Sequence, residues 1–453
     1  MTLTRVFVAN RGEIAVRVIR ACRALGISSV AAVSEADAGG LAAEMADAAV
    51  TIGPPPPAQS YLNIDAVLDG AERAGADALH PGYGFLAEHP ELARACAARG
   101  IKFIGPDADT ILRMGNKLEA REAVGRLGVP VVPGSSKVGS LAAARSVAAE
   151  IGYPLLMKAA AGGGGRGIKI VGGAGDLDEA FATAGNEARG AFGDDTLYME
   201  RYIGDARHVE VQVLGDGTGT VIHAGERDCS LQRRYQKAVE EAPASALPDS
   251  LREDIRAAAV AIAADIRYEN AGTVEFIVDQ EAGRFYFLEM NTRIQVEHPV
   301  TEMITGLDLV AEQIRIAGGD PLSVAQADIG FHGHAIECRI TAEDSAHGFQ
   351  PRPGRIIEWR PPEGEGIRVD SHCREGEEVT PYYDSLLAKL VVKGENRIRA
   401  VARLQEALAA FTVTGVETTI PFLRLLACQL DFVKGEVNTR WLESNLDALK
   451  DGI

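Results

Sequence analysis

Gly272-Thr-Val-Glu-Phe-Ile-Val-Asp-Gln-Glu-Ala-Gly-Arg-Phe-Tyr-Phe-Leu-Glu-Met-Asn-Thr-Arg-Ile-Gln-Val-Glu-His-Pro299 carries the reading of this chain. Val274, Phe276 and Val278 alternate with Glu275, and beyond a turn expected at 280–283 the apolar pattern resumes at Phe285, Phe287 and Leu288. Period two on both sides of a turn predicts a β-hairpin. Centred on Ala282, the hairpin sets Glu275 opposite Glu289, with Cα atoms about 4.5–5.5 Å apart. Carboxylates so placed repel unless a cation lies between them, and their hard oxygens suit Mg²⁺. The alternation continues, with Glu289, Asn291, Arg293, Gln295 and Glu297 expected on one face of an extended strand and Met290, Ile294 and Val296 on the other. A solvated antiparallel face would alternate too. The particular mixture favours chemistry: metal binding at one end, anion handling and general-base work at the other.

Upstream, Gly162-Gly-Gly-Gly-Arg-Gly167 lies between expected strands at 154–159 and Ile168–Val171. Without Cβ atoms, such a run lets backbone N–H groups wrap phosphate oxygens. It is not a P-loop, because Ile168 and Lys169 stand where Lys and then Ser or Thr are needed. It is not a dinucleotide fingerprint either, because a strand follows rather than a helix. A flap closing over phosphates fits better than a passive hairpin tip, which would not need glycines so costly in backbone entropy. Lys158, ending the preceding strand, is placed to meet a phosphate as a point charge. Its neighbours Leu-Met-Lys-Ala invite comparison with a biotinylated carrier lysine, but the strand runs into glycines rather than a tight turn.

Further out, the first hundred residues alternate strand and helix patterns: strands at 5–10, 28–33, 48–52, 76–80 and 102–104, helices at 63–74 and 91–99. Ile14, Val18, Ala21, Cys22 and Leu25 mark an amphipathic helix whose opposite face carries Glu13, Arg17 and Arg20. This is a parallel α/β unit. A helix at 118–127 leads through a Gly- and Pro-containing hinge (128–134) into the glycine-run unit. From 204 to 333 strands dominate, and the last part mixes strands with helices at 398–411 and 420–428.

The 453 residues predict two or three domains. A net charge of −18 argues against nucleic acid or anionic membrane as the main partner. The six cysteines are scattered, which leaves zinc and disulfide frameworks unsupported. With no signal peptide and no apolar run of membrane-spanning length, a cytoplasmic protein is expected.

Val8-Ala-Asn-Arg-Gly-Glu-Ile-Ala15, His80-Pro-Gly-Tyr-Gly-Phe-Leu86, the run 162–167, Glu226-Arg-Asp-Cys-Ser230 and the stretch from Glu289 to Pro299 form an ordered set, with Tyr382-Tyr-Asp-Ser385 later. Together they closely resemble biotin carboxylase, the ATP-grasp component of biotin-dependent carboxylases such as acetyl-CoA carboxylase of fatty acid biosynthesis. The resemblance implies an α/β (α+β) ATP-grasp fold. Its parts would be an N-terminal Rossmann-like parallel domain (1–114), a linker and small mobile lid (115–203), the catalytic core (204–333) and a C-terminal mixed antiparallel-sheet domain (334–453). It implies ATP- and bicarbonate-dependent carboxylation of biotin on a carrier protein. Lys117, Lys158, Gly164 and Gly165 would hold ATP phosphates, and Glu200, Arg201, Tyr202 and Ile203 would form the adenine-contacting hinge. His208, Gln232 and Tyr235 would meet the nucleotide, and Glu275, Glu289 and Asn291 would bind two Mg²⁺ (or Mn²⁺). Lys237, Arg293, Gln295 and Val296 would hold bicarbonate, with Glu297 as its base, and Arg339, beside Tyr83, would receive the biotin ureido group.

Tyr235 stands where the family pattern has histidine, Thr341 where it has asparagine and Ser345 where it has proline. Ala24 and Glu365 depart on the expected homodimer surface, where Arg17, Arg20 and Arg368 remain. Separate carrier-protein and carboxyltransferase subunits are expected as partners, the transferase choosing the acceptor. Another bicarbonate-activating ATP-grasp ligase would share the nucleotide and metal residues but lack the Tyr83 and Arg339 context. A non-catalytic ATP-binding subunit would be expected to have lost a charge on the 289–297 face, and none is lost.

Overall fold

Alternating β-branched segments and amphipathic helices at the N-terminus assemble as the sequence patterns require. In the computed structural model, which describes residues 2–160, 168–450 and 452, β1 (Arg5–Val8), β2 (Ser28–Ser34), β3 (Ala48–Gly53), β4 (Ala78–His80) and β5 (Lys102–Phe103) are all parallel. Their order is β3-β2-β1-β4-β5, so the strand order reverses between β1 and β4. Loops beyond such a reversal open a crevice at the strands' carboxyl ends. Here Asn10 spans it, its Nδ2 donating to the carbonyls of Pro81 (2.7 Å) and Tyr83 (2.8 Å). That pair of bonds fixes the loop presenting Tyr83.

The helix Gly12–Ala24 buries Ile14, Val18, Ala21 and Cys22 as expected, yet its polar side is not a solvent face. Glu13 and Arg17 are also buried, because each meets a partner from far along the chain: Lys389 for Glu13, Glu302 and Asp308 for Arg17. Arg20 alone of the three is exposed.

A small antiparallel sheet of β6 (Leu155–Ala159), β7 (Ile168–Val171) and β8 (Leu197–Arg201), ordered β7-β6-β8, packs on the helices Leu141–Ile151 and Leu177–Phe192. The glycine run, with Gly164 and Gly165, lies outside the described residues.

The largest sheet is antiparallel and eight-stranded. It runs β13 (Arg284–Asn291), β12 (Glu269–Asp279), β9 (Ala206–Asp216), β10 (Val221–Arg233), β11 (Gln236–Ala242), β14 (His334–Thr341), then Leu386–Gly394 and Ile367–Ser371. The segments on either side of residue 334 therefore share one sheet. On β9, Val209, Val211 and Val213 enter the apolar core while His208, Glu210 and Gln212 take the opposite face, and all six are buried. The helix Asp249–Asp265 covers the core face, an element absent from the strand-dominated expectation for 204–333. The spacing of Ile255, Ala258, Ala259 and Ile262 is that of a helix.

Candidate active site

The hairpin β12–β13 sets Glu275 opposite Glu289, as its alternation predicts, though by another route. Next to the turn Phe276 pairs with Phe287 and Ile277 with Tyr286, so the turn is centred between Glu281 and Ala282. An irregularity at Leu288 then shifts the register by one residue and brings Glu289 opposite Glu275. Such a bulge places two residues of one strand against one of the other, and both Leu288 and Glu289 line the cavity.

The regular strand expected to run through Glu297 ends at Asn291, and residues 292–297 are irregular before the helix His298–Thr305. The polar residues nevertheless converge. Asn291, Arg293, Gln295 and Val296 all line the same cavity of about 900 Å³, and Glu297 lies fully buried beneath it. Alternation here reflects cavity lining rather than a sheet face.

The cavity's other residues arrive from every layer. Tyr83 comes from the crevice of the parallel sheet, Lys117 from the start of the helix Lys117–Arg126, and Lys158, Glu200, Arg201, Tyr202 and Ile203 from the small sheet and its exit. His208, Gln232, Tyr235, Lys237, Glu275 and Arg339 come from the large sheet. All sequence-expected site residues among the described ones thus surround one space, Glu297 from below.

At one end, Lys117 and Lys158 each have one acidic partner among the described residues. Lys117 Nζ lies 3.1 Å from Glu289 Oε2. Lys158 meets Glu200, whose other oxygen takes Arg121. Burial pushes the Glu200 carboxyl up, but Lys158 and Arg121 outweigh it and hold the group low. The Glu200 side chain is thus a carboxylate anchor for Lys158. Tyr235 occupies the two-residue turn between β10 and β11 with φ +64°, beside Arg234 at φ +50°.

At the other end the charges are networked. Lys237 Nζ donates to Glu210 Oε2 (2.6 Å), Glu275 Oε1 (3.0 Å) and Glu297 Oε1 (2.7 Å). Burial disfavours its charge, yet these three carboxylates hold its pKa well above the lysine range. Arg339 Nε donates to Glu240 Oε1 (2.7 Å) and Nη2 to Glu297 Oε2 (3.1 Å). Glu297 is driven up by burial but is held far below the carboxylate range by Lys237, Arg339 and Arg227. Glu275 behaves alike, under Lys237 and His208. His208 Nε2 lies 2.9 Å from Glu275 Oε2 and its Nδ1 2.6 Å from Gln232 Nε2. Arg293 is aimed by Glu88 (Nε to Oε2, 2.7 Å) and by Gln295 (Nη1 to Oε1, 2.9 Å).

Glu275, Glu289 and Asn291 supply hard oxygens on adjacent strands, and Asn291 Nδ2 donates to Glu275 Oε1 at 2.9 Å. Each carboxylate already faces cationic groups, Lys117 or Lys237. The donor set and its appetite for positive charge fit Mg²⁺.

Models of the biotin carboxylase N-terminal domain and of the biotin carboxylase C-terminal domain match residues 2–111 and 337–444, and that of the carbamoyl-phosphate synthase L chain ATP-binding domain matches 116–325. The chain belongs to the biotin carboxylase family. Biotin carboxylase 1 of Bacillus subtilis is 51% identical over 443 residues, covering 98% of each chain. A pyruvate carboxylase subunit of Methanothermobacter thermautotrophicus is 50% identical over 97% of this chain and 89% of its own. Among solved structures, the biotin carboxylase domain dimer of Hydrogenobacter thermophilus 2-oxoglutarate carboxylase, in complex with MgADP, ADP and bicarbonate, superposes with TM-score 0.95. It is 49% identical, covering 99% of each chain. The Campylobacter jejuni biotin carboxylase structure, a β,γ-ATP complex, gives 0.95 at 46% identity over 98% of this chain and 99% of its own.

Biotin carboxylases couple ATP and bicarbonate to biotin carboxylation, and this chain has their ATP-grasp fold. Several groups supporting the site were not anticipated. Glu210 and Arg227 lie under Lys237, Glu240 behind Arg339, Glu88 beside Arg293, and Lys389 under Val296, whose carbonyl accepts from Lys389 Nζ at 2.9 Å. Glu210 was legible as the residue two after His208 on the same strand face; Lys389 had no such signal. Among the described residues, no helix is long and apolar enough to cross a membrane.

Proposed function

We propose that in this chain Lys117 and Lys158 hold ATP phosphates, Lys237, Arg293, Gln295 and Val296 hold bicarbonate, Glu297 is the base, and Arg339 and Tyr83 receive the biotin ureido ring. The observation that carries this reading is Lys237, whose ammonium touches the proposed metal carboxylate Glu275 and the proposed base Glu297 at once. One cation thus joins the phosphate end to the anion end.

Bicarbonate is a weak nucleophile. Entering between Lys237, Arg293 and Arg339, it would take over donors that now quench Glu297. With those bonds gone, the buried carboxylate becomes a stronger base and removes the bicarbonate proton as an oxygen attacks the γ-phosphorus. Carboxyphosphate forms and ADP leaves. Mg²⁺ or Mn²⁺ held by Glu275, Glu289 and Asn291 would supply charge neutralisation at the phosphates. Carboxyphosphate then separates into CO₂ and phosphate, the phosphate takes the ureido N–H proton, and the ring nitrogen attacks CO₂ while Arg339 stabilises the ring oxygen anion.

The same reading assigns 1–114, 115–203, 204–333 and 334–453 as functional units and a biotin carrier protein and a carboxyltransferase as partners. A homodimer is supported by the Hydrogenobacter domain described as a dimer. The relatives are named for different parent carboxylases, pyruvate and 2-oxoglutarate among them, so acetyl-CoA carboxylase is one assignment among several. The acceptor is set by the transferase. The test is bicarbonate-dependent ATP hydrolysis with free biotin added: stimulation is expected, and Arg339→Ala or Glu297→Ala abolishes it. Equal hydrolysis with and without biotin overturns the reading.

A further inference from the structure

Behind Arg339 lie two carboxyls that the proposed chemistry does not use. Glu240 on β11 and Glu337 on β14 are directly paired across antiparallel strands and are each 0% exposed. Neither lines the cavity. Both oxygens of Glu337 and Oε2 of Glu240 have no hydrogen-bond partner among the described residues. Ionised carboxylates directly opposite each other repel, and a buried charge with no partner is costlier still.

The neighbouring cations are already committed elsewhere. On the own strand of Glu337, Arg339 is taken by Glu240 and Glu297. Lys389, on the adjoining strand Leu386–Gly394, donates to the Val296 carbonyl and pairs with Glu13 Oε2 at 3.1 Å. Lys237 on β11 serves three other carboxylates. His298, at the head of the helix packed on β14, is held far below the histidine range by burial and by Lys389, and is therefore neutral. Tyr83, on the crevice side, is bonded to Glu13.

We propose that Glu240 and Glu337 share one proton, and that this pair is a positioning element which clamps Arg339 with one negative charge rather than two. The proton joins the orphaned oxygens of two facing carboxyls, and Glu240 retains the single negative charge that grips the guanidinium. Burial pushes both carboxyls up, in keeping with a retained proton. Were Glu337 also ionised, a third carboxylate would join Glu240 and Glu297 around Arg339 and weaken it as an anion stabiliser. The proposal rests on the reading of Arg339 as the biotin-facing cation.

Glu337→Gln keeps a neutral, similarly shaped group and decides the matter in the full-length protein. In the infrared difference spectrum, wild type minus E337Q at pH 7.5, a protonated carboxylic acid C=O band is expected, shifting in D₂O. In biotin-stimulated ATP hydrolysis, the wild-type rate should fall at alkaline pH as the pair loses its proton, and the E337Q limb should lie higher by about one pH unit or more. A spectrum with carboxylate bands alone overturns the proposal, as do superimposable pH profiles. Should E337Q not fold, the same spectrum with Glu240→Gln replaces it, since removing either partner must alter the acid band. Absence of biotin stimulation in the wild type would strike the reading of Arg339 instead, and the infrared result would still decide the proton.

Discussion

The two ends of the cavity are wired differently. At the proposed nucleotide end, among the described residues, Lys117 has a single acidic partner, Glu289, and Lys158 a single one, Glu200. At the anion end Lys237 has three, and two of those carboxylates are shared with Arg227 and Arg339. A cation with one partner can exchange it for a phosphate with little rearrangement. A cation inside a network is fixed before any substrate arrives, which is what electrostatic preorganisation requires. On the proposed roles, the difference separates an end where a phosphate replaces a single partner from an end where bicarbonate enters among donors already held in place.

The widest break in that contrast comes from Lys237→Met. It leaves Glu210, Glu275 and Glu297 without their common cation, and removing one member of a buried ion pair costs about 3–5 kcal/mol. Denaturant unfolding should show a loss of that order, and kcat of the folded remainder should drop by roughly 10²–10³. A kcat loss without a stability loss would mean that the network is not what holds these acids.

Lys158→Met should behave differently. Glu200 keeps Arg121, so the stability cost is expected at about 1–2 kcal/mol. The main effect falls on ligand binding: a lost charge-assisted bond to phosphate is worth about 1.5–3 kcal/mol, or roughly 10–100-fold in KM for ATP. If Lys158→Met destabilises the protein as much as Lys237→Met, the two ends are not wired differently after all.

How far the sequence reaches follows the same division. The hairpin, its paired glutamates and the crevice loops are local patterns, and each expected strand of the first sheet lies within two residues of its place. The glutamate pairing was legible although the path to it was not, because the doublet Phe287-Leu288 records the bulge only as two apolar neighbours. Partners distant in sequence leave no such mark. Arg17 reads as a helix's polar side because Glu302, which buries it, is 285 residues away. Ala335, Glu337 and Arg339 alternate with Ile336, Cys338 and Ile340 like a half-solvated strand, whereas the helix His298–Thr305 buries their side of it. Ile255, Ala258, Ala259 and Ile262 carry the helical spacing of Asp249–Asp265, but strands on both sides dominate the pattern of 204–333.

The mildest test concerns Tyr235. Its turn has positive φ at both central residues, a conformation that suits hairpins but strains bulky side chains. The ring is 48% exposed, lines the cavity, and lies near Glu443 on the C-terminal helix Trp441–Lys450. Histidine tolerates left-handed backbone better than most residues, so Tyr235→His should change stability by no more than about 0.5 kcal/mol. Its effect on ATP binding should stay within about 1 kcal/mol, or roughly fivefold in Kd by calorimetry. No ion pair or side-chain hydrogen bond is tied to this ring among the described residues, so nothing else must rearrange when it changes. A loss of two orders of magnitude in ATP affinity would show that the nucleotide end, too, depends on residues acting together, and the contrast between the two ends would collapse from its quieter side.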